Sequence, residues 1–199
     1  MKKLALVIIF TMLAGSAFAG SWNQNNLGIY VDANGTDNCT FGTGLVHCYL
    51  VGTGLQTATV GGFECKIVPT GPLMSTDLIN VAYPADAINL GGYRREFEWV
   101  VAYGQVVPVN NGTCMFMEFD LAISDDLTPT EVFLETNYFQ SYPGANAYLD
   151  GADLNVILPL YNATGDPLTG ANLPVFTVNG QCVVPTEDAS WSDVKSLFR

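Results

Sequence analysis

Short runs of β-branched and aromatic residues recur along almost the whole chain, separated by glycine, asparagine, aspartate and proline. Such runs are typical of β-strands, and the residues between them are typical of turns. No long stretch with a helical period competes with them. The runs are LGIYVD, LVHCYLV, GFECKIV, LINVAY, EFEWVVAYGQVVPV, TCMFMEFDLAIS, TEVFLETNYF, LNVILPLY and PVFTVNG. The pattern predicts an all-β fold, an antiparallel β-sandwich of Greek-key or jelly-roll type.

Residues 1–19 have the three parts of a secretory signal peptide. Two lysines precede an apolar run over residues 4–14, and a small-x-small pattern ends at Ala19. The apolar run is too short to cross a bilayer, which takes about 18 residues or more. We therefore predict cleavage after Ala19, export to the extracellular space or the periplasm, and a single sandwich domain over residues 20–199.

The chain is strongly acidic. It carries 7 Lys and Arg against 19 Asp and Glu, a formal net charge of −12. Loss of Lys2 and Lys3 with the signal peptide makes the exported part more acidic still. Such a surface repels nucleic-acid phosphates and anionic lipid headgroups. The composition therefore predicts no nucleic-acid partner and no membrane span after the signal peptide, whereas divalent cations, neutral sugars and other surface proteins are compatible partners.

All the cysteines lie in the part that is predicted to be exported: Cys39, Cys48, Cys65, Cys114 and Cys182. Export brings them to a compartment where disulfides form, and the absence of a Cys-x-x-Cys pair argues against a zinc or redox site. Because their number is odd, at most two disulfides can form within the chain. The sequence leaves the pairing open.

The segment VPVNNGTC contains the clearest hairpin signal. Asn111-Gly112 favours a two-residue type I′ turn, in which both central residues have positive φ. A hairpin closed by this turn places Trp99 opposite Ser124. Because side chains alternate between the two faces of a strand, the predicted core face carries Val100, Ala102, Val106, Met115, Met117, Phe119, Leu121 and Ile123. The other face carries Trp99, Val101, Tyr103, Cys114, Phe116, Glu118 and Asp120.

Four residues of that second face form a candidate ligand site: Trp99, Tyr103, Glu118 and Asp120. Aromatic rings stack on sugar rings, and neighbouring carboxylates accept hydrogen bonds from sugar hydroxyls. We therefore predict a secreted or cell-surface protein that is not an enzyme and that acts in binding, with glycan as the candidate ligand, or as a structural component. The alternative for Trp99 and Tyr103 is that the hairpin is covered on both faces and these rings belong to the core.

Two pairs of carboxylates in the predicted strands indicate an alternative function, a glycan-acting hydrolase. The pairs are Glu96-x-Glu98 and Glu118-x-Asp120, and a hydrolase needs two such groups about 5–10 Å apart in a groove. The segment EFDLA resembles the Glu-x-Asp-x-x-Glu core of the jelly-roll glucanases through its first two acids, but the third acid is missing. His47 is the single histidine, and it is predicted to be an ordinary residue on a sheet face.

A self-assembling surface or filament subunit is the other alternative. This function requires an unpaired edge strand, or a terminal segment that completes the sheet of a neighbouring copy.

The segment DANGTDN offers oxygen ligands at Asp32, Asn34 and Thr36, as the start of a calcium loop does. Its glycine comes one residue earlier than in an EF-hand, and Thr43 stands where an EF-hand has glutamate. The segment therefore predicts either a structural calcium site of another kind or an Asx-rich turn.

The C-terminal segment SWSDVKSLFR differs from the strands. Ser190 and Asp193 match a capping-box pattern, and cations near the end complement a helix dipole. The apolar residues on one side of such a helix are Trp191, Val194 and either Leu197 or Phe198. The segment therefore predicts a short C-terminal helix over residues 190–199, which serves as a structural lid on the sandwich or as a sorting signal.

Two segments resemble a set of uncharacterised secreted bacterial β-rich proteins. GIYVD at residues 28–32 matches their N-terminal Gly-[Ile/Val]-Tyr-x-Asp strand, and WSDVKSLFR at residues 191–199 matches their C-terminal Trp-x-x-[Val/Ile]-Lys-x-Leu-[Tyr/Phe]-Arg tail. The resemblance implies export and a β-rich fold. It implies no activity, cofactor or catalytic residue.

Overall fold

The computed structural model describes residues 24–74, 78–91, 97–164 and 172–182. Within these ranges the chain forms twelve β-strands: β1 (Asn26–Tyr30), β2 (Cys39–Thr40), β3 (Gly44–Thr53), β4 (Thr59–Thr70), β5 (Ile79–Ala82), β6 (Ala87–Asn89), β7 (Glu98–Pro108), β8 (Cys114–Ile123), β9 (Thr130–Glu135), β10 (Asn146–Asp150), β11 (Ile157–Asn162) and β12 (Phe176–Val178). Every apolar run identified in the sequence overlaps a strand, and β2, β6 and β10 lie outside those runs. None of the described residues belongs to a helix that is long and apolar enough to cross a membrane.

The strands form two packed sheets. The front sheet has the order β1-β3-β8-β5. The back sheet begins with the order β6-β7-β4. On the other side of β4, β10 pairs with its first half and β9 pairs with its second half. β12 pairs with β9, and β2 pairs with β12 and ends the sheet. β11 joins the two sheets, because it pairs antiparallel with β10 and parallel with β1. The β-sandwich predicted from the sequence is confirmed.

The Asn111-Gly112 turn forms as predicted, but the hairpin beyond it does not. Asn111 and Gly112 have φ values of 52° and 78°, and Asn110 forms a bridge with Thr113. After that single bridge the strands separate, because β7 pairs with β4 and β6 whereas β8 pairs with β3 and β5. The predicted pairing of Trp99 with Ser124 is therefore wrong. A tight turn determines only the pairs next to it, and burial of apolar side chains sends the two strands to opposite sheets.

The core faces of β7 and β8 follow from this separation. β7 turns Trp99, Val101 and Tyr103 towards the core, which is the opposite of the predicted face. β8 follows the prediction at one end, where the core residues are Met117, Phe119, Leu121 and Ile123. The register against β3 shifts between Leu50 and Val51, which leaves Phe116 as an extra residue. This β-bulge brings Phe116 into the core as well.

Phe116 makes the central contact between the sheets. Its ring is fully buried and stacks on Phe63 of the back sheet, with ring centroids 5.2 Å apart. The Tyr103 hydroxyl crosses from the back sheet and donates a hydrogen bond of 2.6 Å to the Phe116 carbonyl. Gly52 gives the ring space, because a Cβ at this position would lie 2.8 Å from Phe116 Cζ.

One disulfide links the cysteines that lie farthest apart in the sequence. Cys39 in β2 is bonded to Cys182, with a Cα–Cα distance of 5.3 Å. The other cysteines are free and buried: Cys48, Cys65 and Cys114. Burial raises the pKa of the Cys114 thiol to about 12 and raises the pKa values of the other two thiols as well. All three are therefore kept as neutral, unreactive thiols.

Several sequence predictions fall outside the described residues. They are the signal peptide over residues 1–19, the helix over residues 190–199, and Glu96.

Candidate functional site

The structure does not bring the predicted ligand residues together. Trp99 and Tyr103 lie on β7 in the back sheet and pack against the core. Glu118 and Asp120 lie on β8, and they point away from the core because their neighbour Phe119 is turned into it. The four side chains therefore belong to different sheets. The prediction that these four residues share one face assumed that β7 pairs with β8. Because the two strands lie in different sheets, that prediction is wrong.

Glu118 and Asp120 instead take part in a polar cluster on the outer face of the front sheet. We call it the His47 cluster: His47, Asn80, Glu118 and Asp120. His47 on β3 lies directly opposite Asp120, and its Nδ1 is 2.7 Å from Asp120 Oδ1. The Asn80 amide donates a bond of 2.7 Å to Asp120 Oδ2, and His47 Nε2 is 3.6 Å from Glu118 Oε2. His47 is therefore a member of a hydrogen-bonded cluster, which its sequence context alone did not indicate.

Hydrogen bonds within this cluster favour the ionised form of Asp120. The bond from Asn80, followed by the bond from His47, lowers the pKa of the Asp120 carboxyl below its usual value. A glycosidase general acid needs the opposite, a carboxyl that stays protonated near neutral pH. Glu98, the third carboxylate of the hydrolase hypothesis within the described residues, lies in the back sheet. The arrangement therefore does not favour the hydrolase.

The lowered pKa of Asp120 predicts a specific pH dependence of stability. Since the folded-state pKa lies below the unfolded-state value of about 3.9, the stabilisation is present above that value. It is lost as the pH falls through the folded-state pKa. Urea unfolding of the wild type and of Asp120→Asn should therefore give free energies that differ most near neutral pH and converge as the pH falls through the folded-state pKa of Asp120. A difference that stays constant or grows on acidification would contradict this assignment.

A second candidate surface is the loop over residues 136–145, which connects β9 to β10. We call it the aromatic loop. Its exposed rings are Tyr138, Phe139 and Tyr142, with 62 %, 65 % and 37 % of their surface accessible. The rings of Tyr138 and Phe139 contact each other edge to face, with centroids 4.8 Å apart. Large aromatic side chains that are this exposed mark candidate binding surfaces.

Two buried glutamates form hydrogen bonds with the aromatic loop. Glu64 and Glu98 are each only 6 % exposed, on the outer face of the back sheet. Glu64 accepts hydrogen bonds from the Ser141 backbone N–H (2.7 Å) and hydroxyl (2.8 Å), and Glu98 accepts one from the Tyr138 N–H (2.9 Å). Burial of a carboxylate is costly unless hydrogen bonds compensate it. These hydrogen bonds come from the aromatic loop, so the loop and the two carboxylates stabilise each other.

Further bonds within the loop restrict its shape. The Asn137 amide donates to the Trp99 carbonyl at 2.9 Å, which ties the start of the loop to β7. The Gln140 side chain donates to the Thr136 hydroxyl and accepts from the Gly144 N–H, at 2.9 Å and 2.6 Å. The exposed rings therefore project from a backbone that is fixed at several points.

The Asp32 turn provides no comparable site. Asp32 Oδ1 accepts from the Asn34 N–H, and Oδ2 accepts from the Thr36 N–H, the Thr36 hydroxyl and the Asp37 N–H, at 2.8–3.0 Å. Desolvation alone would raise the pKa of Asp32, but these bonds outweigh it and lower the pKa. Donors rather than oxygen ligands surround the carboxylate, which favours the Asx-rich turn over a calcium site at Asp32, Asn34 and Thr36. Among the described residues, no group of three or more His, Cys, Asp or Glu is arranged to hold a metal ion.

The aromatic loop was missed because its first part looks like a strand. The run TEVFLETNYF predicts a strand that includes Tyr138 and Phe139, whereas β9 ends at Glu135. The signal that could have identified the loop is the cluster of three aromatic residues in NYFQSYPG, interrupted by polar residues and closed by Pro143-Gly144.

Comparisons with protein-family models and with curated proteins give no match. Among solved structures, the chain is similar to the sixth cohesin of scaffoldin B from Acetivibrio cellulolyticus, solved in complex with a Cel5 dockerin mutant. The identity is 12 % and the TM-score 0.44, over 79 % of this chain and 99 % of that chain. It is also similar to the seventh ScaB type I cohesin from Pseudobacteroides cellulosolvens, with 12 % identity and a TM-score of 0.45, over 81 % of this chain and 95 % of that chain. These values are too low to transfer a partner or a binding surface to this chain.

Proposed function

We propose that this chain is a secreted or cell-surface binding protein without enzymatic activity, and that the aromatic loop binds glycan. The observation that carries the proposal is the pair of exposed rings, Tyr138 and Phe139, on a backbone that is held by two buried carboxylates. The signal-peptide pattern of residues 1–19 and the Cys39–Cys182 disulfide support export, because disulfides persist in oxidising compartments.

Sugar rings suit this surface better than charged polymers do. A sugar ring presents C–H groups that pack on an aromatic face, and contact with a rigid ring costs little conformational entropy. The hydrogen bonds that Glu64 and Glu98 accept from the loop fix its backbone before a ligand arrives, so less free energy is lost on binding. The strongly acidic chain repels polyanions, which favours neutral glycans.

The proposal predicts that truncation of either exposed ring weakens glycan binding. The exported protein is screened on a glycan array, and each glycan bound is then titrated by calorimetry. Tyr138→Ala and Phe139→Ala should each weaken binding by about tenfold, which corresponds to about 1.4 kcal/mol.

Phe41→Ala is the matched control, because Phe41 is an aromatic residue that is 71 % exposed in the loop before β3. It should leave the affinity unchanged. Absence of binding to any glycan would overturn the proposal, as would equal losses in Phe41→Ala and the loop variants.

A further inference from the structure

An apolar row crosses the outer face of the front sheet next to the His47 cluster. Leu45 on β3 lies directly opposite Ala122 on β8, and the Met74 N–H donates 2.8 Å to the Ala122 carbonyl from the other side of β8. Leu45 and Met74 are each 60 % exposed, whereas Ala122 between them is only 4 % exposed. The next positions along the same strands are His47 and Asp120. An apolar row therefore runs directly beside the His47 cluster.

Two more exposed apolar residues lie in the loops that precede β3 and follow β8. Phe41 is 71 % exposed and Leu127 is 89 % exposed. The Asn179 amide donates to the Gly42 carbonyl at 2.8 Å and to the Asp125 carbonyl at 3.2 Å, which brings the loops that carry these residues together. We use the name apolar end for the set Phe41, Leu45, Met74, Ala122 and Leu127.

The chain beyond the described residues starts beside the apolar end. Cys182 is bonded to Cys39, and Cys39 stands two residues before Phe41. Residues 183–199 follow this anchor point and contain apolar residues at Trp191, Val194 and Leu197, with cations at Lys195 and Arg199. An extended chain spans about 3.3 Å per residue, so this segment is long enough to cross the front sheet.

We propose that residues 183–199 of the same chain dock on the outer face of the front sheet. In this arrangement Trp191, Val194 and Leu197 cover the apolar end, and the cations Lys195 and Arg199 face the two carboxylates of the His47 cluster, Glu118 and Asp120. The disulfide makes this docking favourable, because a short tether gives the segment an effective concentration of about a millimolar at the face. Burial of otherwise exposed apolar side chains provides the driving force.

Trypsin cleavage after Lys195 tests this docking in the full exported protein. Cleavage releases the peptide Ser196–Arg199, whose appearance is followed by mass spectrometry. The reference is a synthetic peptide of residues 183–199, which trypsin cuts without any docking. In the wild type we expect release at least about tenfold slower than from the peptide, in line with a millimolar effective concentration and a weak intrinsic affinity.

Variants of the face and of the segment identify the contact. Trp191→Asp, Leu45→Asp and Met74→Asp should each raise the rate at which Ser196–Arg199 is released towards the rate measured for the synthetic peptide of residues 183–199. Trp191→Asp combined with Leu45→Asp should add little to either alone, because both remove the same contact. Leu154→Asp is the matched control, since Leu154 is an exposed leucine (62 %) between β10 and β11, and it should leave the rate unchanged.

Three results would overturn the proposal. The first is wild-type release as fast as that of the peptide. The second is slow release that persists in Leu45→Asp and Met74→Asp, which would mean that the segment docks elsewhere. The third is trypsin cleavage after Lys195 that becomes slower as the protein concentration rises. This would mean that the segment docks on a second copy of the chain, and it would favour self-assembly. Circular dichroism of each variant confirms that the fold is intact, so that a change in release reports on docking.

Discussion

Replacement of Phe116 by alanine is expected to lower the free energy of unfolding by about 3–5 kcal/mol. The ring is fully buried and stacks on Phe63 across the two sheets. Its removal takes apolar area out of the core and leaves a cavity at the contact that joins the sheets. The closeness of Gly52 to the Phe116 ring shows how tightly this site is packed. Urea unfolding, followed by fluorescence and circular dichroism, measures the loss.

Phe139→Ala is the matched control, because the same ring is 65 % exposed there and its loss should change stability by no more than about 0.5 kcal/mol. If Phe116→Ala does not fold, Phe116→Leu keeps most of the volume and should still cost about 1 kcal/mol. A loss in Phe116→Ala as small as that in Phe139→Ala would mean that Phe116 lies outside the core. That is the position that a hairpin of β7 with β8 would give it.

The strand positions could be predicted because the signal for a strand is local. β8 spans Cys114–Ile123 inside the run TCMFMEFDLAIS, and its alternation correctly predicts the core face from Met117 onward. The position of Phe116 could not be predicted in this way. It depends on a bulge against β3, a strand more than sixty residues earlier in the chain, and a bulge changes the face of every residue before it.

The candidate sites depend on contacts between residues that are far apart in the sequence. His47 and Asp120 are separated by 73 residues, and Glu64 and Ser141 by 77. Alternation shows only which side of its own strand a residue occupies, so it could not show that His47 meets a carboxylate. In the same way, it could not show that β9 ends at Glu135, inside the run TEVFLETNYF, or that the Tyr138 N–H three residues later donates a hydrogen bond to Glu98.

The Cys39–Cys182 disulfide explains how short strands are held at the edge of the back sheet. β2 consists of Cys39 and Thr40 alone and pairs with β12 through two residues. The Asn179 side chain adds reciprocal bonds with the backbone of Gly42, each 2.8 Å long. These contacts are few, and the disulfide keeps their partners close even when the chain is unfolded.

Loss of this disulfide is therefore expected to have the second large effect on stability. The bridge spans a sequence separation of 143 residues. For a loop of this length, the entropy of closing the unfolded chain corresponds to about 5 kcal/mol, and measured losses are about 2–5 kcal/mol. We expect Cys39→Ser combined with Cys182→Ser to lose stability in that range. The urea m-value should rise, because the unfolded chain becomes more expanded without the bridge.

Cys48→Ala separates the effect of the bridge from that of a lost cysteine side chain. It removes a buried thiol and keeps the disulfide, so the loss should be only about 1 kcal/mol, with the m-value unchanged. Labelling of the unreduced wild type with a thiol reagent should modify no cysteine in the folded protein, because Cys48, Cys65 and Cys114 are all buried. After unfolding it should modify these three. If the double serine variant is as stable as Cys48→Ala, or if unfolding exposes Cys39 or Cys182 as a free thiol, the bridge does not constrain the chain in this way. The edge of the back sheet is then held by β2, β12 and Asn179 alone.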